Sequence, residues 1–239
     1  MNKDIDYQSE SISHFDEEYK NYGVDSQRLY PNEALCRFMG RYFFSIEKNV
    51  RKQYSILEVG CGSGGNLWMI SKEGFNTFGI DGSEEAVKIC RNHLKEKWGV
   101  SATVDEARFD TLPYKNDVFD AVVDVVSLQH LNLQESEVAL KEIYRVLKSG
   151  GLFFSYRLSD GSCMFQNSSG EYVDSATVDN VFDKRMPLNN NKQMSFWSPS
   201  LTKMMYEKVD FRIESIEKDT RSYNNNCMIV EYLSVIARK

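Results

Sequence analysis

From residue 54 onward the chain alternates short apolar runs with amphipathic stretches, the pattern of strands exchanging with helices. Residues 54–59 predict a first strand, and 65–73 predict a helix closed by Gly74. Thr77, Phe78, Gly79 and Ile80 predict a second strand that ends at Asp81. Ala86, Val87, Cys90, Leu94 and Trp98 then fall on one face of a helix over 84–98. A short strand near 101–104 and a stronger one over 121–126 follow, then a helix over 134–148 with Gly150 as its stop, and a strand over 152–156. Alternation of this kind predicts an α/β fold, a doubly wound and mostly parallel sheet covered by helices on both faces. Ligands of such sheets bind outside the carboxyl ends of the strands.

The two ends of the chain depart from that rhythm. Residues 1–50 read as an N-terminal helical cap, with a helix over 33–48 in which Leu35, Phe38, Met39 and Tyr42 recur at helical spacing after Pro31 and Asn32. Residues 51–239 read as the main domain, with an insertion at 158–197 rich in Ser, Asn and Asp. A loop of that length inside a domain is usually functional or disordered. Beyond it, a helix over 200–208 leads to strands over 211–217 and 227–237 joined by Asn224, Asn225 and Asn226. A short connection makes these two strands an antiparallel hairpin.

Charge and cysteine usage narrow the possible partners. The net charge of −6 disfavours a broad phosphate-binding surface, so no nucleic-acid partner is expected. No apolar run approaches a membrane span, and the polar start from Met1 to Asp6 is not a secretory signal. Five scattered cysteines with no C-x-x-C spacing predict reduced thiols and a cytoplasmic location. His14, His93 and His130 are never paired at ligand spacing, so no metal is expected.

The chemistry concentrates where the first strand ends. Ser55-Ile56-Leu57-Glu58-Val59 breaks into Gly60-Cys61-Gly62-Ser63-Gly64-Gly65 and then opens a helix at Asn66. Glycines at such a junction let a ligand lie against backbone N–H groups. Gly60, Gly62 and Gly65 also spell the dinucleotide fingerprint G-x-G-x-x-G, which leaves a nicotinamide-dependent oxidoreductase as an alternative. Glu58 argues against it. A carboxylate two residues before the turn repels a pyrophosphate and attracts a ligand bearing an ammonium and a sulfonium. S-adenosylmethionine (SAM) is such a ligand.

With Glu58-x-Gly60-x-Gly62-x-Gly64, Asp81 at the end of strand 2, Phe109-Asp110, Phe119-Asp120-Ala121-Val122, Leu147-Lys148-Ser149-Gly150-Gly151 and the terminal hairpin, the chain resembles the class I SAM-dependent methyltransferases over residues 54–239. The resemblance implies a seven-stranded, Rossmann-like methyltransferase sheet with SAM as cofactor. It implies a cofactor site of Glu58, Gly60, Cys61, Gly62, Gly64, Asp81, Gly82, Asp110, Thr111, Val126 and Ser127. Asp81 would accept from the ribose hydroxyls and Asp110 from the adenine amine. A non-catalytic SAM-binding module on the same fold is the other alternative.

The acceptor is less legible. No Asn-Pro-Pro-Tyr or Asp-Pro-Pro-Tyr follows strand 4, and no recognition domain is added, so a small polar acceptor is expected, most simply an oxygen of a sugar or other metabolite. His130, just past strand 4, is the candidate general base. Tyr30, Tyr156, Arg157 and Trp197 are the candidate acceptor contacts, with the N-terminal segment 15–45 and the insertion expected to close over the site. Phe165, Tyr172, Phe182 and Phe196 are isolated aromatics of that insertion suited to a pocket wall.

Overall fold

In the computed structural model, which describes residues 6–23, 28–167, 170–181 and 191–239, seven strands form one sheet in the order β3-β2-β1-β4-β5-β10-β9. They are β1 (Ser55–Val59), β2 (Asn76–Asp81), β3 (Thr103–Glu106), β4 (Phe119–Val125), β5 (Leu147–Leu158), β9 (Arg212–Tyr223) and β10 (Met228–Arg238). The pairs among β1 to β5 are all parallel, while β10 runs antiparallel to both β5 and β9. The strand alternation sorts side chains to two apolar layers. Ala121, Val123, Val125, Phe154 and Tyr156 face one layer, and Val122 and Phe153 face the other.

Helices close both layers. The first is covered by α2 (Glu33–Tyr42), through Leu35, Phe38 and Met39, and by α3 (Leu67–Lys72), through Met69 and Ile70. Asn32 caps α2 by accepting from the N–H groups of Ala34 and Leu35. The helix stops at Tyr42, short of 48, because Phe43 leaves helical geometry and turns its ring into the core against Phe75. α5 (Leu133–Val146) and α7 (Pro199–Glu207) cover the second layer. A capping box between Asn132 and Glu135 starts α5. It ends at Val146, so Gly150, at φ +77°, serves a turn inside β5 and not a helix stop. α4 (Glu84–Asn92) is shorter than the periodicity suggests and passes into one wide π turn over 93–97.

Two features bear on the carboxyl edge of the sheet. A helix that the sequence pattern did not single out, α1 (Tyr7–Tyr22), packs against α4 and against β8 (Asn191–Ser195). The insertion is not an open loop. It carries a short helix α6 (Cys163–Gln166) and a three-stranded antiparallel sheet of β6 (Glu171–Tyr172), β7 (Thr177–Val181) and β8. Phe196 and Met194 are fully buried, which anchors this small sheet to the first layer. Phe182 lies outside the described residues.

Candidate active site

A cavity of about 500 Å³ opens at the carboxyl ends of β1, β2 and β4. Its floor is the turn after β1. Gly60 has φ +68°, and a Cβ there would stand 2.2 Å from Ser127 Cβ, so the ends of β1 and β4 approach as only glycine permits. Gly62 donates its N–H to Asp81 Oδ2 at 2.9 Å, and Ser83 donates to Asp81 Oδ1 at 3.0 Å. Burial raises the Asp81 pKa, against the pull of those amides. Gly82 also lines the cavity, under Ile12 of α1. Gly64 does not. It packs against the Cys90 sulfur behind the turn. Cys61 is in the wall, and its thiol pKa is pushed up by Cys90 beside it and by burial.

Glu58 is the most unusual side chain in the wall. Oε1 accepts from Asn66 Nδ2 at 2.6 Å, while Oε2 is buried with no partner. Burial pushes its pKa up to about 8. Asn66 in turn accepts from the Asn32 N–H at 2.9 Å, which ties the acid to the start of α2. Trp68 donates its indole N–H to the Leu29 carbonyl at 3.1 Å, holding residues 28–32 as a strap across α3. Arg28 O would lie 2.4 Å from a Cβ at Gly65, so the third glycine of the fingerprint makes room for this strap.

After β4 the backbone turns through Val126 at φ +59°. The turn is held by Asp124, a fully buried acid that accepts from the N–H groups of Ser127 and Leu128, both at 3.0 Å. Val126 and Ser127 both face the cavity. Asp110 and Thr111, assigned to the cofactor by resemblance, are outside its wall. The Asp110 carboxylate is turned to Arg108, at 3.0 Å, and Arg108 also holds Asp6 at the start of α1. Ala107 and Phe109 line that side instead.

Of the four expected acceptor contacts, the structure brings Tyr30 and Tyr156 to the cavity. Arg157 and Trp197 are corrected. The next residue along β5 points to the opposite face from Tyr156, and Arg157 is buried there, its guanidinium 3.4 Å from the Trp197 ring centroid. Trp197 itself is fully buried in the second apolar layer.

His130 is in the wall. Its ring stands edge-on to Phe15 at 4.8 Å, and Nδ1 is 3.0 Å from the Gln193 carbonyl oxygen. A carbonyl only accepts, so Nδ1 carries the proton and Nε2 is left as an acceptor. Burial pushes the imidazole pKa down to about 4, so the ring is neutral near pH 7.

Two walls of the cavity go beyond the expected contacts. One is α1, which contributes Gln8, Ser11, Ile12, Phe15 and Tyr19, of which only Phe15 and Tyr19 fall in the segment 15–45 expected to close over the site. Ile12, Phe15, Tyr19 and Tyr22 at helical spacing were the available signal. The other is the terminal hairpin, which contributes Arg221, Tyr223 and Tyr232. Asp219, Arg221 and Tyr223 alternate along one strand face, visible only once the strand is known to run to 223. Among the described residues, no group of three or more His, Cys, Asp or Glu could hold a metal ion, and no helix is long and apolar enough to cross a membrane.

Residues 56–151 match the family model described as a methyltransferase domain. An uncharacterized protein of Methanocaldococcus jannaschii is 33% identical over 138 residues, 57% of this chain and 49% of that one. The tRNA N(3)-methylcytidine methyltransferase of Schizosaccharomyces pombe is 26% identical over 211 residues, 74% of this chain and 69% of that one. The chain thus spans about half the length of the first relative and about two thirds of the second. A solved SAM-dependent methyltransferase of Methanosarcina mazei shares the fold with a TM-score of 0.64, at 19% identity, over 77% of this chain and 92% of that one.

Proposed function

From the premise that this chain belongs to the class I SAM-dependent methyltransferase family, we propose that it transfers the methyl group of SAM to an oxygen of a small polar acceptor. The observation that carries the reading is Glu58 Oε2, a buried acid oxygen without a partner in the wall of a cavity floored by glycines. An ammonium is the group such an atom lacks. Arg28 is the cation whose field reaches Glu58, and it suits the carboxylate at the same end of the methionine moiety. Asp81 has two acceptor oxygens at the end of β2, suited to a pair of ribose hydroxyls.

When bound, SAM supplies an activated sulfonium donor, so the chain has only to place the acceptor in line and exclude water. α1 lies over the cavity through Ile12, Phe15 and Tyr19 and provides the exclusion. His130 Nε2 is assigned to the acceptor hydroxyl. It orients the oxygen as a hydrogen-bond acceptor and takes the proton as the new O–C bond forms, when that oxygen is acidic enough for a weak base.

Two measurements test the reading. SAM at about 100 times its dissociation constant stabilises by roughly 2.7 kcal/mol, a melting shift of roughly 5–11 °C for a chain of this size. NAD is expected to give none. Asp81→Ala should weaken SAM by about 1.5–3 kcal/mol, the range for hydrogen bonds to a charged group. Stabilisation by NAD but not SAM would overturn the family's cofactor for this chain, and an unchanged SAM affinity in folded Asp81→Ala would remove Asp81 from the site.

The pH dependence separates Glu58 from His130. In the empty cavity Glu58 holds its proton up to about 8. An ammonium beside it favours the carboxylate, so binding expels a proton and affinity rises with pH. Between about pH 6 and about pH 7.5 the SAM association constant should climb by up to tenfold per pH unit, and Glu58→Gln should flatten the slope. Turnover at saturating SAM should stay level over the same window, because His130 is already neutral. An affinity that stays flat in the unmodified protein sinks the Glu58 assignment. A step in turnover near pH 6.5 that vanishes in His130→Gln sinks the neutral-imidazole role.

A further inference from the structure

The terminal hairpin is longer than its place in the sheet requires. β10 pairs with β5 only over residues 232–238, while 228–231 continue to pair with β9 beyond the end of β5. This overhang stands over the carboxyl edge and sets Arg221, opposite Val230, and Tyr223, opposite Met228, into the cavity wall. Arg221 is held in place from two sides. Its guanidinium lies 6.0 Å from the Tyr232 ring centroid, and one terminal nitrogen is 3.5 Å from Asp219 Oδ2. That same oxygen already accepts from the Tyr156 hydroxyl at 2.6 Å, and Tyr156 stacks on Tyr232 at 4.7 Å. Asp219 therefore orients Arg221 without occupying its fork of donors.

The acids of the wall are gathered at one side. The carboxylates that line it, Glu58 and Asp81, sit at the ends of β1 and β2, while Arg221 sits at the far side on the hairpin. Arg28, whose charge reaches Glu58 across the same cavity, would hold the methionine carboxylate, which would leave Arg221 without a counter-charge from the cofactor.

We propose that the methyl acceptor is an anionic small molecule, and that Arg221 holds its carboxylate or phosphate group between Tyr223 and Tyr232. The inference rests on the methyl-transfer reading and adds the acceptor's chemical class to it. The planar guanidinium matches either oxyanion in a bidentate fashion. The tyrosines supply apolar faces for the body of the acceptor and hydroxyls for its polar groups. The anionic group is the handle and not the reacting atom, so the methylated product keeps its negative charge.

The test uses the full chain with SAM carrying a labelled methyl group and the small-molecule fraction of a cell extract. Labelled product should be retained on an anion-exchange resin at neutral pH. Phosphatase treatment should release it if the handle is a phosphate and leave it bound if it is a carboxylate. Arg221→Gln should lower kcat/KM for the acceptor by about 10- to 100-fold, the loss of a charge-assisted pair, with the SAM dissociation constant unchanged, and Arg221→Lys should restore part of it. Labelled product in the unretained neutral fraction, or full activity in Arg221→Gln, overturns the proposal. Failure to transfer label at all, by a protein that binds SAM, overturns the methyl-transfer reading and this inference with it. Failure to bind SAM in the first place marks the fault as the cofactor's.

Discussion

Asp124→Ala should lower stability by about 3 kcal/mol or more, since buried donors left unsatisfied cost about 1–3 kcal/mol each. Three lose their partner: the N–H groups of Ser127 and Leu128, which share Oδ1, and the Ser155 hydroxyl, which donates to Oδ2 at 2.7 Å. The Ser127 hydroxyl has an alternative in the Val59 carbonyl at 2.8 Å. Asp124 therefore stitches β4 to its own turn and to β5 at a position with no access to water. At roughly 2–4 °C per kcal/mol, the melting temperature should fall by roughly 6–12 °C. Asp124→Asn should fall less, since its one carbonyl oxygen still serves the two amides and the Ser155 hydroxyl can turn to accept from its NH₂. A drop of under about 1 kcal/mol in urea unfolding of Asp124→Ala would mean that the turn finds other acceptors.

What the sequence made legible follows from the range of the interactions. The alternation of strands and helices is local, so the parallel sheet, its strand–helix order and the terminal hairpin can be read from residue spacing. The glycine turn with Glu58 and Asp81 is a short-range pattern too, and the fold brings these residues around one cavity. Asp110 shows where spacing stops being informative. Its position after a strand predicts a cofactor contact, but the direction of its carboxylate is set by Arg108, whose other partners are Asp6 and Ser9, about a hundred residues away. Tyr156 and Arg157 show the other limit. Neighbours on a strand point to opposite faces, so both could not reach the same cavity, and the register that decides between them is long-range. The insertion misled for a third reason. Several of its polar residues, Ser159, Thr177, Gln193 and Ser195 among them, are buried, and it meets the cavity through Met194 and holds His130 through the Gln193 carbonyl, with none of its described aromatics in the wall.

Gly60→Ala should weaken SAM binding by about 30-fold or more, and the reason is a collision that neither partner is free to avoid. A left-handed backbone costs an alanine about 1–2 kcal/mol, and Gly60 has φ +68°. The new Cβ would also stand 2.2 Å from Ser127 Cβ and 2.5 Å from its Oγ. Ser127 does not retreat readily, because its hydroxyl is 2.6 Å from Asp124 Oδ1 and 2.8 Å from the Val59 carbonyl. Overpacking of this kind costs about 1–3 kcal/mol, and together the two effects come to about 2–5 kcal/mol, or 30-fold and more in affinity. The strain is relieved by moving the turn that presents Gly62 to Asp81, so the loss should register in cofactor affinity and only partly in stability. A double-variant cycle isolates the collision. Ser127→Gly removes both clashing atoms and leaves Phe109 Cζ, at 3.3 Å, as the next neighbour. Gly60→Ala with Ser127→Gly should then recover all but the backbone penalty of about 1–2 kcal/mol, measured by titration calorimetry with SAM. If the double variant binds no better than Gly60→Ala alone, the contact between the ends of β1 and β4 is not what requires glycine at this position.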